Sequence, residues 1–144
     1  MVGNWNRGYG KRGFIQYQFV VPLEDGHKSL RKILAAISKS GCTPFLNVVK
    51  KFGKCRSGQL SFPMEGYTLA VDFPVSSKLK SFTLQLNQMV MEAGGRVYLG
   101  KDAYLDEREF KAMYTGWEDW MKVKTKYDPG NIFSSDLSRR IGLG

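Results

Sequence analysis

The chain has 144 residues, of which 42% are apolar, 13% aromatic and 24% charged, and its 22 basic and 13 acidic groups leave a net charge of +9. That composition excludes a disordered chain, and the length fits one domain able to bury about two-thirds of the surface its unfolded form exposes. The charge favours an anionic partner, whether nucleic acid, a phosphorylated substrate or a phospholipid surface.

Cys42 and Cys55 cannot make a disulfide framework, and with His27 as the single histidine there is no zinc constellation and no basis for a His-centred triad. His27 is expected at an exposed position near a helix start. No apolar run approaches the roughly 20 residues of a spanning helix, and Met1-Val2-Gly3-Asn4-Trp5-Asn6 lacks a signal-peptide core. The expectation is a soluble, cytoplasmic chain, with membrane-associated or periplasmic placement open for a longer parent.

Gly8-Tyr9-Gly10-Lys11-Arg12-Gly13 spells G-x-G-x-x-G, but a dinucleotide fingerprint follows a strand and opens a helix, and here a strand follows instead. From Phe14 to Val21 the residues alternate: Ile15, Tyr17, Phe19 and Val21 point one way, Phe14, Gln16, Gln18 and Val20 the other. From His27 to Ser40, Leu30, Ile33, Leu34 and Ile37 fall at i, i+3, i+4 and i+7. They predict an amphipathic helix with Lys28, Arg31, Lys32 and Lys39 outside and Gly41 as its stop.

Phe45 to Phe52 reads as a second strand, residues 54–66 as a loop, and Tyr67 to Phe73 as a third strand with Thr68, Ala70 and Asp72 opposite its apolar face. A second helix, capped by Ser76 or Ser77, carries Leu79, Phe82, Leu86, Met89, Val90 and Ala93 on one stripe. Gly94-Gly95 ends it, and Arg96 to Leu99 is the fourth strand. Lys101 follows at the seam where that strand leaves the sheet, a position from which a cation can face a ligand.

The fold class is therefore α+β: a ferredoxin-like β-α-β-β-α-β antiparallel sheet with both helices on one face. The apolar strand faces go under the helices, which leaves Gln16, Gln18, Lys50, Thr68 and Ala70 on the open side with Val48 and Phe52. That mixture suits either a ligand wall or a face covered by another domain. Beyond Lys101 the pattern is a short helical segment, with capping-box spacing at Asp106 to Glu109 and Thr115 to Glu118 and a last helix from Ser134 or Ser135 to Ile141. Trp117, Trp120 and Met121 share one side of the middle helix, as if awaiting a partner.

Several segments resemble one family in order along the chain. They are Trp5-Asn6-Arg7, Tyr9-Gly10, Gln16-Tyr17-Gln18-Phe19-Val20-Val21-Pro22, Phe45-Leu46-Asn47-Val48-Val49-Lys50, Leu60-Ser61-Phe62-Pro63, Val71-Asp72-Phe73-Pro74, Gly94-Gly95-Arg96-Val97-Tyr98 with Lys101-Asp102, Met113-Tyr114, Asp128-Pro129, Ser135-Asp136-Leu137 and Arg139-Arg140. Together they resemble the C-terminal third of FAD-linked oxidoreductases of the vanillyl-alcohol-oxidase type, in the branch of the decaprenylphosphoryl-ribose 2-oxidases, with aldonolactone oxidases as broader relatives.

The resemblance implies that residues 1–97 form the second part of a substrate-binding (cap) domain and that 98–144 return to an FAD-binding domain outside this sequence. It implies FAD in the parent and none in this fragment, which would be inactive alone. Its implied partners are that FAD-binding domain, an NAD-dependent reductase, and a sugar or lipid-linked sugar phosphate substrate, with no nucleic acid and with self-association of the fragment. Carried over residue by residue, Gln16, Gln18, Lys50 and Thr68 would bind substrate, Tyr98 would sit at the flavin, and Lys101 would contact flavin and sugar as the catalytic cation. Thr68 and Ala70 stand where mycobacterial members carry Asn and Cys, so this pocket wall differs from theirs.

A second hypothesis is a stand-alone basic module of the same topology that binds RNA or another anionic partner. Arg12-Gly13-Phe14 leading into an aromatic strand suggests it, but base-stacking aromatics are needed on the open face, where β-strand alternation puts glutamines.

Overall fold

A computed structural model describes residues 3, 7, 11–54 and 58–144. Cys55, Trp5-Asn6, Tyr9-Gly10 and most of the glycine-rich motif lie outside the described residues.

The elements are β1 (Phe14–Pro22), α1 (Gly26–Lys39), β2 (Leu46–Phe52), β3 (Gly66–Pro74), α2 (Leu79–Glu92) and β4 (Arg96–Val97). A 3-10 turn (Leu99–Lys101) then leads to α3 (Glu107–Met113), α4 (Trp117–Tyr127) and α5 (Asp136–Arg140). The strands form one antiparallel sheet in the order β2-β3-β1-β4, the ferredoxin-like arrangement that the alternating periods predict.

Register follows from burial of one strand face. β1 pairs along its full length with β3, Gln18 opposite Ala70 and Val20 opposite Thr68, so Tyr17, Phe19, Val21, Leu69, Val71 and Phe73 all go under the helices. A slip of one residue would turn every one of them to the other side. α2 fills its half of the interface with Leu79, Leu86 and Val90, all fully buried and each worth about 2 kcal/mol in apolar transfer. α1 contributes Leu30, Ile33 and Ile37. Leu34, expected on the same stripe, stays 37% exposed, because α1 packs over β1 and β3 and no helix covers the adjoining face of the edge strand β2.

Three local expectations are corrected. Ser76 and Ser77 do not cap α2, whose N-cap is Lys78 with no side-chain hydrogen bond; the Ser76 carbonyl instead accepts from the Leu79 amide at 3.2 Å. Thr115 does not open α4; Gly116 is its N-cap. A Cβ at Gly116 would lie 2.6 Å from the Gln59 carbonyl oxygen, so the chain passes too close to the 58–62 loop for any side chain there. The fourth strand stops at Val97 instead of Leu99, because the backbone turns into the 3-10 conformation immediately after pairing with β1.

Other signals hold. Asp106 and Glu109 form the reciprocal capping box of α3, Ser135 caps α5, and Gly94 ends α2 at φ +67°. His27 is exposed at the start of α1, with its ring 4.6 Å from that of Tyr67 and its Nε2 2.9 Å from the Tyr67 hydroxyl.

The C-terminal segment shares the core of the sheet unit. Leu105, Phe110, Met113, Tyr114, Ile141 and Leu143 join the same apolar cluster as Tyr17 and Phe19, and Trp117, Trp120 and Met121 pack half-buried against it. Exposed apolar groups lie further along instead, at Tyr127, Ile132 and Phe133, which are 76%, 82% and 81% accessible.

Candidate functional site

The sheet's second face is the surface the helices leave uncovered. Alternation and register place Gln16, Gln18 and Val20 of β1, Thr68, Ala70 and Asp72 of β3, and Leu46, Val48, Lys50 and Phe52 of β2 on it. Arg96 lies opposite Val20, and Tyr98, whose amide donates to the Gln18 carbonyl at 2.8 Å, extends the same face past β4. Five of the six sequence-derived site residues, Gln16, Gln18, Lys50, Thr68 and Tyr98, thus share one face.

One end of this face is roofed. Phe62, from the loop before β3, sits 4.7 Å from the Tyr98 ring and 6.1 Å from that of Phe52, and is itself buried. Arg96 helps to hold the loop, donating from Nη1 to the Ser61 carbonyl at 3.0 Å while its guanidinium lies 5.5 Å over the Tyr114 ring. Val20 and Thr68 are buried under this roof, although alternation alone leaves them on the open side.

Thr68 is therefore less a free ligand group than an anchor. Its hydroxyl donates to the Phe19 carbonyl at 2.8 Å and accepts from Gln18 Nε2 at 3.1 Å, which fixes the glutamine amide. With Nε2 held in this way, the Gln18 carbonyl oxygen is the end of the amide left to accept from a ligand hydroxyl. Gln16 is exposed two residues away, without such an anchor.

Lys101 occupies the last position of the 3-10 turn, its amide donating to the Tyr98 carbonyl at 3.0 Å. The next residue pins that turn. Asp102 has no solvent-accessible side-chain surface; one carboxylate oxygen accepts from the amides of Tyr104 (2.9 Å) and Leu105 (2.8 Å), and the other from Arg140 Nη1 at 2.7 Å. Arg140 Nη1 also donates to the Leu105 carbonyl at 2.6 Å. Among the described residues neither Lys50 nor Lys101 forms an ion pair, so both ammonium groups remain available at the rim.

Beneath the seam runs a buried polar chain. The Tyr17 hydroxyl donates to Asn87 Oδ1 at 3.0 Å, Asn87 Nδ2 donates to Glu109 Oε2 at 3.0 Å, and the Asp106 amide donates to the same oxygen at 3.1 Å. Burial, seconded by the charges of Asp102 and Glu109, holds the Tyr17 phenol well above the usual tyrosine range. Burial also raises that of Tyr114, whose hydroxyl donates to the Val97 carbonyl at 2.5 Å, with Arg96 opposing the shift. Sequence reasoning missed Phe62, Arg96, Asp102, Arg140 and this chain. The Asp102 and Arg140 positions stood within recurring motifs, but nothing in their spacing of 38 residues signals contact.

Among the described residues there is no cluster of His, Cys, Asp and Glu able to hold a metal. An uncovered sheet wall with amides on its floor, an aromatic roof and unpaired cations at its edge is the arrangement of a site for a polar, hydroxylated or anionic ligand. The D-arabinono-1,4-lactone oxidase family model matches residues 11–141, and the chain belongs to that family, one of oxidoreductases. It is 43% identical over 143 residues to the decaprenylphosphoryl-beta-D-ribose oxidase of Mycolicibacterium smegmatis, covering 99% of this chain and 31% of that protein. It is 19% identical over 130 residues to the L-gulono-1,4-lactone dehydrogenase of Mycobacterium tuberculosis, covering 89% of this chain and 30% of that protein. The chain thus spans a little under a third of the length of these relatives.

Proposed function

We propose that this chain supplies the substrate wall and the rim cations of an FAD-dependent oxidoreductase that oxidises a secondary alcohol of a sugar or polyol, in the manner named for its decaprenylphosphoryl-ribose oxidase relative. The observation that carries the reading is the gathering of Gln16, Gln18, Thr68, Lys50 and Tyr98 on one uncovered face beside the turn that bears Lys101.

The residues fit such a cofactor by their chemistry: two cations free of ion pairs among the described residues, an aromatic edge and amide donors suit an electron-rich ring and a polyol lying side by side. FAD, when bound, would accept the electrons and hydrogen that leave the alcohol carbon. Gln18, its Nε2 held by Thr68, would accept from one sugar hydroxyl, and Gln16 would donate to or accept from another. Lys101 would hold positive charge where negative charge accumulates, an arrangement that needs a fixed backbone, and the Asp102 anchor supplies it. Lys50, on the opposite edge of the face, would bind an anionic part of the substrate. Residues 1–97 would be the second part of the substrate-binding domain and 98–144 the segment that returns to the FAD-binding domain.

The RNA alternative gains nothing from the geometry. Tyr17 and Phe19 are buried under the helices, and the open-face positions of β1 and β3 carry no stacking aromatics beyond Phe14 at the strand start.

The test is a chimera in which this chain replaces the matching 31% of the Mycolicibacterium smegmatis relative. The expected result is a yellow protein whose flavin absorbance bleaches anaerobically with a sugar-alcohol substrate, whereas the 144-residue chain alone is colourless and inactive. A folded, FAD-loaded chimera that no sugar or polyol bleaches, that relative's substrate included, would overturn the reading.

A further inference from the structure

The net charge of +9 is confined to one part of the chain. Residues 1–64 contain 11 basic and 2 acidic side chains, whereas residues 65–144 contain 11 of each and are neutral as a whole. Within the described structure this excess is concentrated on α1, with Lys28, Arg31, Lys32 and Lys39, and on β2, with Lys50 and Lys51; neither element contains an acidic residue.

These two elements adjoin. Tyr67 pairs with Lys51 across the β2–β3 ladder, and its ring and hydroxyl contact His27 in the first turn of α1. Asn47, Val49 and Lys51 lie on the helix side of β2, uncovered because β2 is an edge strand and α1 and α2 pack over the other three. Leu34 and Val49 are thereby left 37% and 51% exposed amid the cations. The acids nearest in sequence or on the neighbouring elements are Glu24, Asp25, Glu65 and Glu92. Of these Asp25 is taken up by Lys28 at 3.1 Å, and Glu92 accepts from Gln88 at 2.9 Å.

From this juxtaposition we infer that the α1–β2 face is a peripheral membrane-binding surface that rests on anionic phospholipid headgroups. Lysine and arginine side chains on one face attract the negative surface potential of a bilayer, each contributing about a fivefold gain in partitioning. Leu34 and Val49 are short aliphatic groups of the kind that enter the headgroup and acyl boundary. That feature separates lipid from nucleic acid, which would be met by aromatic stacking groups that this face does not present. The surface lies on the side of the sheet opposite the candidate site, so it stands on the charge distribution and not on the proposed reaction.

The experiment is co-flotation of the 144-residue chain with vesicles of phosphatidylglycerol and phosphatidylcholine in equal parts, against phosphatidylcholine alone, across a salt series. The chain should float with the anionic vesicles only, and the bound fraction should fall as salt shortens the reach of the charges. The double variant R31E/K32E, with unchanged circular dichroism, should lose at least about tenfold in partitioning. L34S/V49S should weaken binding at low salt and deepen its salt sensitivity. K122E/K126E on α4 should leave binding unchanged. Equal flotation with neutral vesicles, no flotation at low salt, full retention by R31E/K32E, or displacement of the vesicles by single-stranded RNA through the same two residues would each overturn the inference.

Discussion

Asp102 and Arg140, 38 residues apart, meet at 2.7 Å, and the aspartate side chain is sealed from solvent while also accepting two backbone amides. The last helix of the chain is thereby tied to the turn that carries Lys101. Asp102→Ala would leave a guanidinium and two buried amides without their acceptor. It should lower stability by about 2–4 kcal/mol, seen as a reduced urea midpoint at unchanged slope. A double-mutant cycle with Arg140→Ala should give a coupling of about 1–3 kcal/mol; additivity within about 0.5 kcal/mol would show that the contact is incidental.

The buried phenols predict an alkaline limit. Tyr17 and Tyr114 have folded-state values raised above the ordinary one, chiefly by burial, so above about pH 10 the unfolded chain releases protons that the folded chain retains. Stability should fall as pH rises through that range. Tyr17→Phe costs about 1–2 kcal/mol at neutral pH, by orphaning Asn87 Oδ1, yet should flatten the alkaline decline. Denaturant midpoints at pH 8 and pH 10.5 read both effects; an identical decline in wild type and variant would contradict them.

The chain by itself should self-associate. Tyr127, Ile132 and Phe133 are among its most exposed large apolar groups, and the open sheet face adds Leu46 at its edge. Apolar surface beyond a few hundred square ångström tends to find partners. Light scattering should show mass rising with concentration, and Ile132→Ser with Phe133→Ser should reduce that rise. A concentration-independent monomer would count against this account of the uncovered surfaces.

Much of the sheet was legible because period-two alternation in Ile15 to Val21 and Tyr67 to Phe73 leaves one register that buries every apolar face. The Asp106 to Glu109 box was legible because its partners are three residues apart. What sequence could not show was nonlocal. Phe62 reads as one apolar residue in a loop, yet it roofs Val20 and Thr68, turning a predicted ligand group into an anchor for Gln18. Thr115 has the spacing of a cap, but the close approach of Gln59 moves the helix start to Gly116. Leu34 fits the helical stripe by periodicity alone, and only the absence of a helix over β2 leaves it exposed.

The central claim is that Lys101 acts at the flavin and sugar, and it is tested most directly by Lys101→Met in the FAD-loaded chimera, measured as the rate of anaerobic flavin bleaching in stopped flow. The substitution keeps the bulk of the stem and removes the charge, so bleaching should slow by about two to three orders of magnitude, the loss expected for one preorganised electrostatic group. Thermal stability should be nearly unchanged, since Lys101 makes no ion pair among the described residues. Lys39→Met on the outer face of α1 is the matched control and should bleach at the parental rate. Parental rates in both variants would show that Lys101 is no more than a turn residue and would contradict the account.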